Sequence, residues 1–179
     1  IITLADERWV PPGHADSNAR LVKAHLLQGR AAAAKWVPLF NEAATPSQGQ
    51  PAVEQALSGL GWPADVVVLG MGGDGHTASL FPHAPELPVA LAGMTRRQSM
   101  EPRPRCMAVA APVPPNVPVA RLSLTAQALL DARCLVLHVT GAAKWSLLQD
   151  VLQNGPIEQW PIRLALHQDR VPCEVFHAN

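Results

Sequence analysis

Val66-Val-Val-Leu-Gly-Met-Gly-Gly-Asp-Gly-His76-Thr-Ala-Ser-Leu-Phe-Pro82 is the stretch on which the reading of this chain turns. Residues 66–69 form an unbroken apolar, β-branched run, the pattern of a strand covered on both faces by helices. The run then breaks into glycines. Gly70, Gly72, Gly73 and Gly75 are expected to let the backbone take positive φ and to bring bare N–H groups close to a ligand. Asp74 and His76 put a carboxylate and an imidazole at the mouth of that turn. Open α/β sheets bind their ligands there, outside the carboxyl ends of the strands.

Gly70, Gly72 and Gly75 also satisfy the G-x-G-x-x-G spacing of a dinucleotide turn, a weak signal when it stands alone. That turn requires a long helix after its third glycine. Pro82 and Pro85 interrupt any helix that starts at His76 within two turns, which argues against it.

Upstream, residues 1–4 read as a short strand ending at Asp6-Glu-Arg-Trp9. Charged side chains beside a large aromatic are costly to bury without purpose, whereas a solvated strand end with a surface ion pair is the ordinary explanation. Asp16 or Ser17 can cap a helix with an apolar stripe of Ala19, Val22 and Leu26, a core-packing face that runs to Gly29. Residues 41–50 read as a surface loop, and Val53, Ala56, Leu57 and Leu60 as a helix face closed by Gly61 and Pro63.

Downstream, residues 83–88 are a proline-dense loop, with His83 on the surface. Residues 90–97 show no single periodicity. Residues 106–111 read as a strand, 112–118 as a stiff extended segment, and Arg121-Leu-Ser-Leu-Thr125 as a half-buried strand whose threonine caps a short helix. Residues 135–139 are another apolar strand. Thr140-Gly141 then opens a helix over 142–152 with Lys144 in its first turn, an end where the macrodipole disfavours a cation unless an anion lies nearby. Residues 162–166 and 175–177 are expected to be the last strands. Strands alternating with helices indicate an α/β, three-layer, Rossmann-like fold: a mostly parallel sheet with helices on both faces, in one domain over residues 1–179.

The bulk properties narrow the function. Fourteen basic and fourteen acidic residues leave no formal net charge, so neither nucleic acid nor an anionic membrane is an expected partner. Three dispersed cysteines, Cys106, Cys134 and Cys173, read as small residues in a reducing compartment and not as a disulfide frame or zinc site. No apolar run approaches a membrane span and no leader pattern opens the chain. A soluble, cytoplasmic monomer without metal or organic cofactor is the expectation.

The glycine-turn string, taken with Asp6-Glu-Arg-Trp-Val-Pro11, Ser17-Asn18, Arg121-Leu-Ser-Leu-Thr125 and Thr140-Gly-Ala-Ala-Lys144, resembles the 6-phosphogluconolactonases of the glucosamine-6-phosphate isomerase/6-phosphogluconolactonase superfamily. The matches follow the family's order along nearly all of the chain. The resemblance implies hydrolysis of 6-phosphoglucono-1,5-lactone to 6-phosphogluconate in the oxidative pentose phosphate pathway. For that reaction His76 on the glycine turn is expected to be the base that activates water, Asp74 its orienter or a contact for a sugar hydroxyl, and either the N–H groups of Gly72, Gly73 and Gly75 or Arg8, which matches the arginine typical of lactonases, the stabiliser of the developing charge. Asp6 and Glu7 match an acidic pair lining the sugar site, and Arg121 and Lys144 the phosphate-binding positions. It also implies an amino-terminally truncated chain, short by roughly two βα units of a doubly wound sheet.

The isomerase/deaminase branch is an alternative, since it shares the Asp-Gly-His core. That branch carries a glutamate shortly after the histidine, where this chain has Phe81, and a phenyl ring cannot relay a proton. A non-catalytic phosphosugar-binding fragment is the alternative from outside enzymology.

Overall fold

Thirteen short elements, none longer than 13 residues, order the polypeptide in the computed structural model, which describes residues 1–92, 94, 103–113 and 116–178. The readings for residues 90–97 and 112–118 fall partly outside them. The chain divides into two compact units: one made of Ile1–Leu60 and Pro104–Leu124, the other of Gly61–Arg103 and Thr125–Asn179.

The first unit begins with Ile2 bridging to Trp36 in parallel, through Ile2 N–H to Lys35 O at 2.8 Å and Val37 N–H to Ile2 O at 2.9 Å. Strand β1 (Asp6–Arg8) follows, so the acidic pair lies within a strand and not beyond one. Helix α1 (Asn18–His25) starts at Ser17, whose hydroxyl accepts the Arg20 N–H. Its expected core stripe is only partly formed: Ala19 is buried and Val22 half-buried, while Leu26 is exposed. Residues 29–33 form a 3₁₀ turn.

Helix α2 (Pro46–Ser58) starts inside the segment expected to be a loop, because Thr45 accepts the Gln48 N–H and Pro46 stands at the first helical position, where a missing N–H costs nothing. Strands β3 (Cys106–Val109) and β4 (Arg121–Leu124) complete an antiparallel sheet in the order β1-β4-β3, with Arg8 opposite Arg121. Four residues of β4 are all buried, which exceeds the half-burial that their alternation suggests.

Two side chains of α2 cover the outer edge of β3. Gln50 donates to Cys106 O at 3.1 Å and accepts from Ala108 N–H at 2.9 Å, and the Glu54 carboxylate accepts from the Arg105 and Cys106 N–H groups. An edge strand is thereby paired without a further strand. Burial, and then the hydrogen bond and charge of Glu54, push the Cys106 thiol far above its ordinary value. Iodoacetamide at mildly alkaline pH is therefore expected to label Cys106 last of the three cysteines, since the thiolate is the nucleophile. Peptide mass spectrometry against time checks this, and early labelling of Cys106 contradicts the clamp.

The second unit holds a parallel sheet, in the order β2-β5-β6: β2 (Val67–Gly70), β5 (Leu135–Thr140) and β6 (Cys173–Ala178). Helix α3 (Leu87–Leu91) follows β2, α4 (Ala126–Leu130) precedes β5 under the Thr125 cap, and α5 (Ala142–Val151) joins β5 to β6. This crossover is what a parallel pair requires. The core collects Leu69, Leu80, Leu129, Leu135, Leu137, Leu148 and Ile162, each 2% exposed or less.

Two expectations are corrected here. Val66 and Val68 are 54% and 63% exposed, so this unit buries β2 on one face only. Residues 162–166 are not a strand: Arg163–Leu166 is a helical turn, α6, with Ile162, Leu164 and Ala165 all buried. A short apolar run buried on every side carries no period that tells strand from helix. The α/β class stands; parallel pairing accounts for the second unit's sheet, and antiparallel pairing for the first unit's.

Candidate active site

Strand β2 ends at Gly70, and residues 71–76 turn back on themselves. The Gly72 N–H donates to His76 O at 2.9 Å and the Gly75 N–H to Gly72 O at 3.0 Å. Only Gly75 of this group takes positive φ, at 80°. Gly72 is needed for a different reason, since a Cβ there would stand 2.1 Å from His76 Nδ1. Glycine at 72 thus makes room for the imidazole. With the Gly72 and Gly75 N–H groups used by the turn, the expected row of free donors reduces to the N–H of Gly73, which has no partner among the described residues.

The imidazole is held on two sides. His76 Nδ1 lies 2.5 Å from Asp74 Oδ1, which also accepts the His76 N–H at 3.1 Å. Its ring packs on Phe81 with centroids 4.7 Å apart. A carboxylate at Nδ1 fixes the tautomer with the proton there and leaves Nε2 as a lone-pair base. Nε2 has no partner among the described residues, and the side chain is 18% exposed. Asp74 is itself 39% exposed.

Lys144 lies in the first turn of α5, reached through Gly141, whose φ of 82° turns the chain from β5 into the helix. The ammonium is half-buried and has no partner among the described residues. A helix N-terminus with an unpaired cation beside it is suited to an anion.

The first unit gathers the other charged candidates. Arg8 Nη1 donates to Asp16 O at 2.9 Å and Asn18 Oδ1 at 3.0 Å, and its buried Nε has no partner. Asn18 Nδ2 also donates to Asp6 O and Oδ1, so it ties the two together. Arg121 is 3% exposed; its Nη2 donates to Val117 O at 3.0 Å and its Nη1 lies 3.8 Å from Asp6 Oδ2. Burial first, and then the neighbouring Arg8 charge, lower the Arg121 pKa, while Asp6 and Asp16 oppose that shift. Two guanidiniums directly opposite on paired strands repel one another. A bound anion would offset that repulsion.

Glu7 is the exception. It is fully buried, and its oxygens accept from the N–H groups of Arg8, Asn18 and Ala19 and from the Ser17 hydroxyl, at 2.7 to 3.1 Å. The expectation that it lines a sugar site gives way to a structural role. Its charge sits at the positive end of α1, where the first helical donors have no partners of their own.

No helix among the described residues is long and apolar enough to cross a membrane, and no group of three or more His, Cys, Asp or Glu side chains there could hold a metal ion. The residue that sequence reasoning missed is Trp160, whose ring lies against Gly75. Nothing in its local pattern points to the turn.

An α/β fold with a carboxylate-held imidazole at the carboxyl end of a parallel strand has the form of a general acid–base enzyme. The chain belongs to the family described as glucosamine-6-phosphate isomerases/6-phosphogluconolactonase, which it matches over residues 1–173. It is 45% identical over 175 residues to a 6-phosphogluconolactonase of Pseudomonas putida, covering 98% of this chain and 66% of that protein. To a 6-phosphogluconolactonase of Pseudomonas aeruginosa it is 41% identical over 165 residues, covering 92% and 65%. The crystal structure of a 6-phosphogluconolactonase from Shewanella baltica superposes with a TM-score of 0.88 at 40% identity, over 99% of this chain and 71% of that one. The chain thus spans about two thirds of the length of these relatives.

Proposed function

We propose that this chain carries the catalytic base of a 6-phosphogluconolactonase, hydrolysing 6-phosphoglucono-1,5-lactone to 6-phosphogluconate. The observation that carries the reading is the Asp74–His76 pair with a free Nε2 on the glycine turn. In this mechanism Nε2 takes a proton from water as its oxygen bonds to the lactone carbonyl carbon. The resulting oxyanion is stabilised by a donor such as the Gly73 N–H. The intermediate collapses as the ring C–O bond breaks, and the imidazolium returns its proton to the departing oxygen. Asp74 keeps Nδ1–H in place and stabilises the imidazolium.

Lys144 is the phosphate-binding residue that the second unit supplies in this reading. Phe81 favours hydrolysis over the deaminase alternative, since an apolar ring packs on His76 at a position where that branch carries a glutamate. The reading includes a cytoplasmic monomer acting on a small molecule, with neither nucleic acid nor membrane as partner; three free cysteines accord with a reducing compartment.

The test is the hydrolysis rate of freshly generated lactone at neutral pH, corrected for the spontaneous reaction. A rate no faster than buffer sinks the proposal. Within it, Lys144→Ala is expected to raise KM by roughly tenfold or more with a smaller change in kcat, because a charge-assisted contact to a remote phosphate contributes on the order of 1.5–3 kcal/mol to binding. An unchanged KM removes Lys144 from the phosphate site.

A further inference from the structure

The second unit contains a buried cation that the mechanism does not use. Arg163 is 1% exposed, and no carboxylate pairs with it among the described residues. Its three nitrogens donate instead to carbonyls of one connecting segment: Nε to Val151 O at 3.0 Å, Nη1 to Pro156 O at 3.0 Å and Nη2 to Gln153 O at 2.8 Å. A buried charge is tolerable only when its geometry is well satisfied, and here one of the three oxygens, Val151 O, belongs to the last residue of α5, where the macrodipole favours a cation. The planar fork addresses three carbonyls at fixed angles, which a lysine cannot do. Gly155 is close-packed against it, since a Cβ there would stand 2.3 Å from Nη1.

The same guanidinium lies 4.4 Å from the centroid of Trp160, a stacked position that holds the indole. Trp160 in turn packs against the catalytic turn. A Cβ on Gly75 would stand 2.5 Å from Trp160 Cδ1, and Gly75 O accepts the Ile162 N–H at 3.0 Å. Gly75 is bonded to Gly72, and Gly72 to His76. Movement at Gly75 therefore reaches the His76 backbone, through the peptide bond that joins them and through these two backbone hydrogen bonds, and with it the seat of the imidazole.

We infer that Trp160 and Arg163 are positioning residues for His76: the guanidinium fixes the indole, the indole seats Gly75, and the seated turn holds the imidazole against Asp74 with Nε2 presented. The inference rests on the reading of His76 as the base, but its geometry can be tested apart from that reading. Trp160 and Arg163 act through Gly75, so their effect is on the population of the competent arrangement.

The experiment compares Trp160→Ala, Trp160→Phe and the unmodified chain by steady-state kinetics and by the ¹⁵N shifts of the His76 imidazole, identified by their loss in His76→Gln. In the unmodified chain the neutral ring is expected to show the proton fixed on Nδ1. Trp160→Ala is expected to average the two tautomers and to lower kcat by about tenfold or more with KM within about twofold, a loss of orientation and not of binding. Trp160→Phe restores a flat ring and is expected to return both readouts most of the way. Should Trp160→Ala fail to fold, Arg163→Lys is read in its place, since it keeps the charge and loses the fork. A folded variant with unchanged His76 shifts and unchanged kcat overturns the inference. If the unmodified chain shows no lactone hydrolysis, the functional reading fails, and the ¹⁵N comparison alone decides whether the indole positions the ring.

Discussion

Replacing His76 by alanine is expected to lower kcat for 6-phosphoglucono-1,5-lactone by roughly 10²- to 10⁴-fold, the usual contribution of a positioned general base. The imidazole of this chain is prepared for that role by its surroundings. Asp74 Oδ1 occupies Nδ1, Phe81 lies against the ring, and Gly72 leaves a gap that a methyl group would fill. Each contact restricts the ring to one orientation. The expected loss corresponds to about 3–5 kcal/mol of transition-state stabilisation, at 1.36 kcal/mol for each factor of ten. KM should move little, because the base acts on water and makes no strong bond to the bound lactone. Alanine removes the base without burying a new charge, so the variant should fold. The check is the corrected rate of lactone loss with purified variant and unmodified chain at neutral pH. Retention of the full rate means that the proton goes elsewhere, and that the Asp74–His76 pair only ties down the turn.

The second large effect is on stability. Glu7→Gln is expected to lower the melting temperature by about 10 °C, since each buried donor left without a partner costs about 1–3 kcal/mol and, for a chain of this size, one kcal/mol moves the midpoint by about 2–4 °C. The carboxylate of Glu7 accepts four donors from Arg8, Ser17, Asn18 and Ala19. An amide keeps the shape but turns an NH₂ toward N–H groups that need an acceptor. It also removes the negative charge from the start of α1, an interaction worth up to about 2 kcal/mol in partly buried settings. Thermal unfolding of the variant measures this. If Glu7→Gln melts with the unmodified chain and loses only activity, Glu7 belongs to the substrate after all, and the buried cap is not what holds it.

These two residues show how far local sequence reaches. Asp74 and His76 stand two residues apart on a turn whose glycines announce it, so the pair was legible in the linear order. Glu7 was equally visible, and its role was not. Its partners lie 11 and 12 positions away in a helix whose first donors required an acceptor, and the chain before them carries several acids that could have met that need.

The apolar run into a glycine turn, the caps Ser17 and Thr125, and the glycine that leads β5 into α5 with Lys144 on its first turn were determined by the sequence alone. Each depends on residues within a few positions of one another, where backbone sterics and local hydrogen bonds decide. The tertiary structure alone decided that β1, β3 and β4 pair antiparallel, that residues 162–166 turn as a helix, and that Trp160 lies under Gly75, 85 residues before it in the chain, with Arg163 behind. Those outcomes depend on which apolar surfaces meet and which buried polar groups find partners. Burial is settled between segments distant in the chain, and no local pattern carries that information.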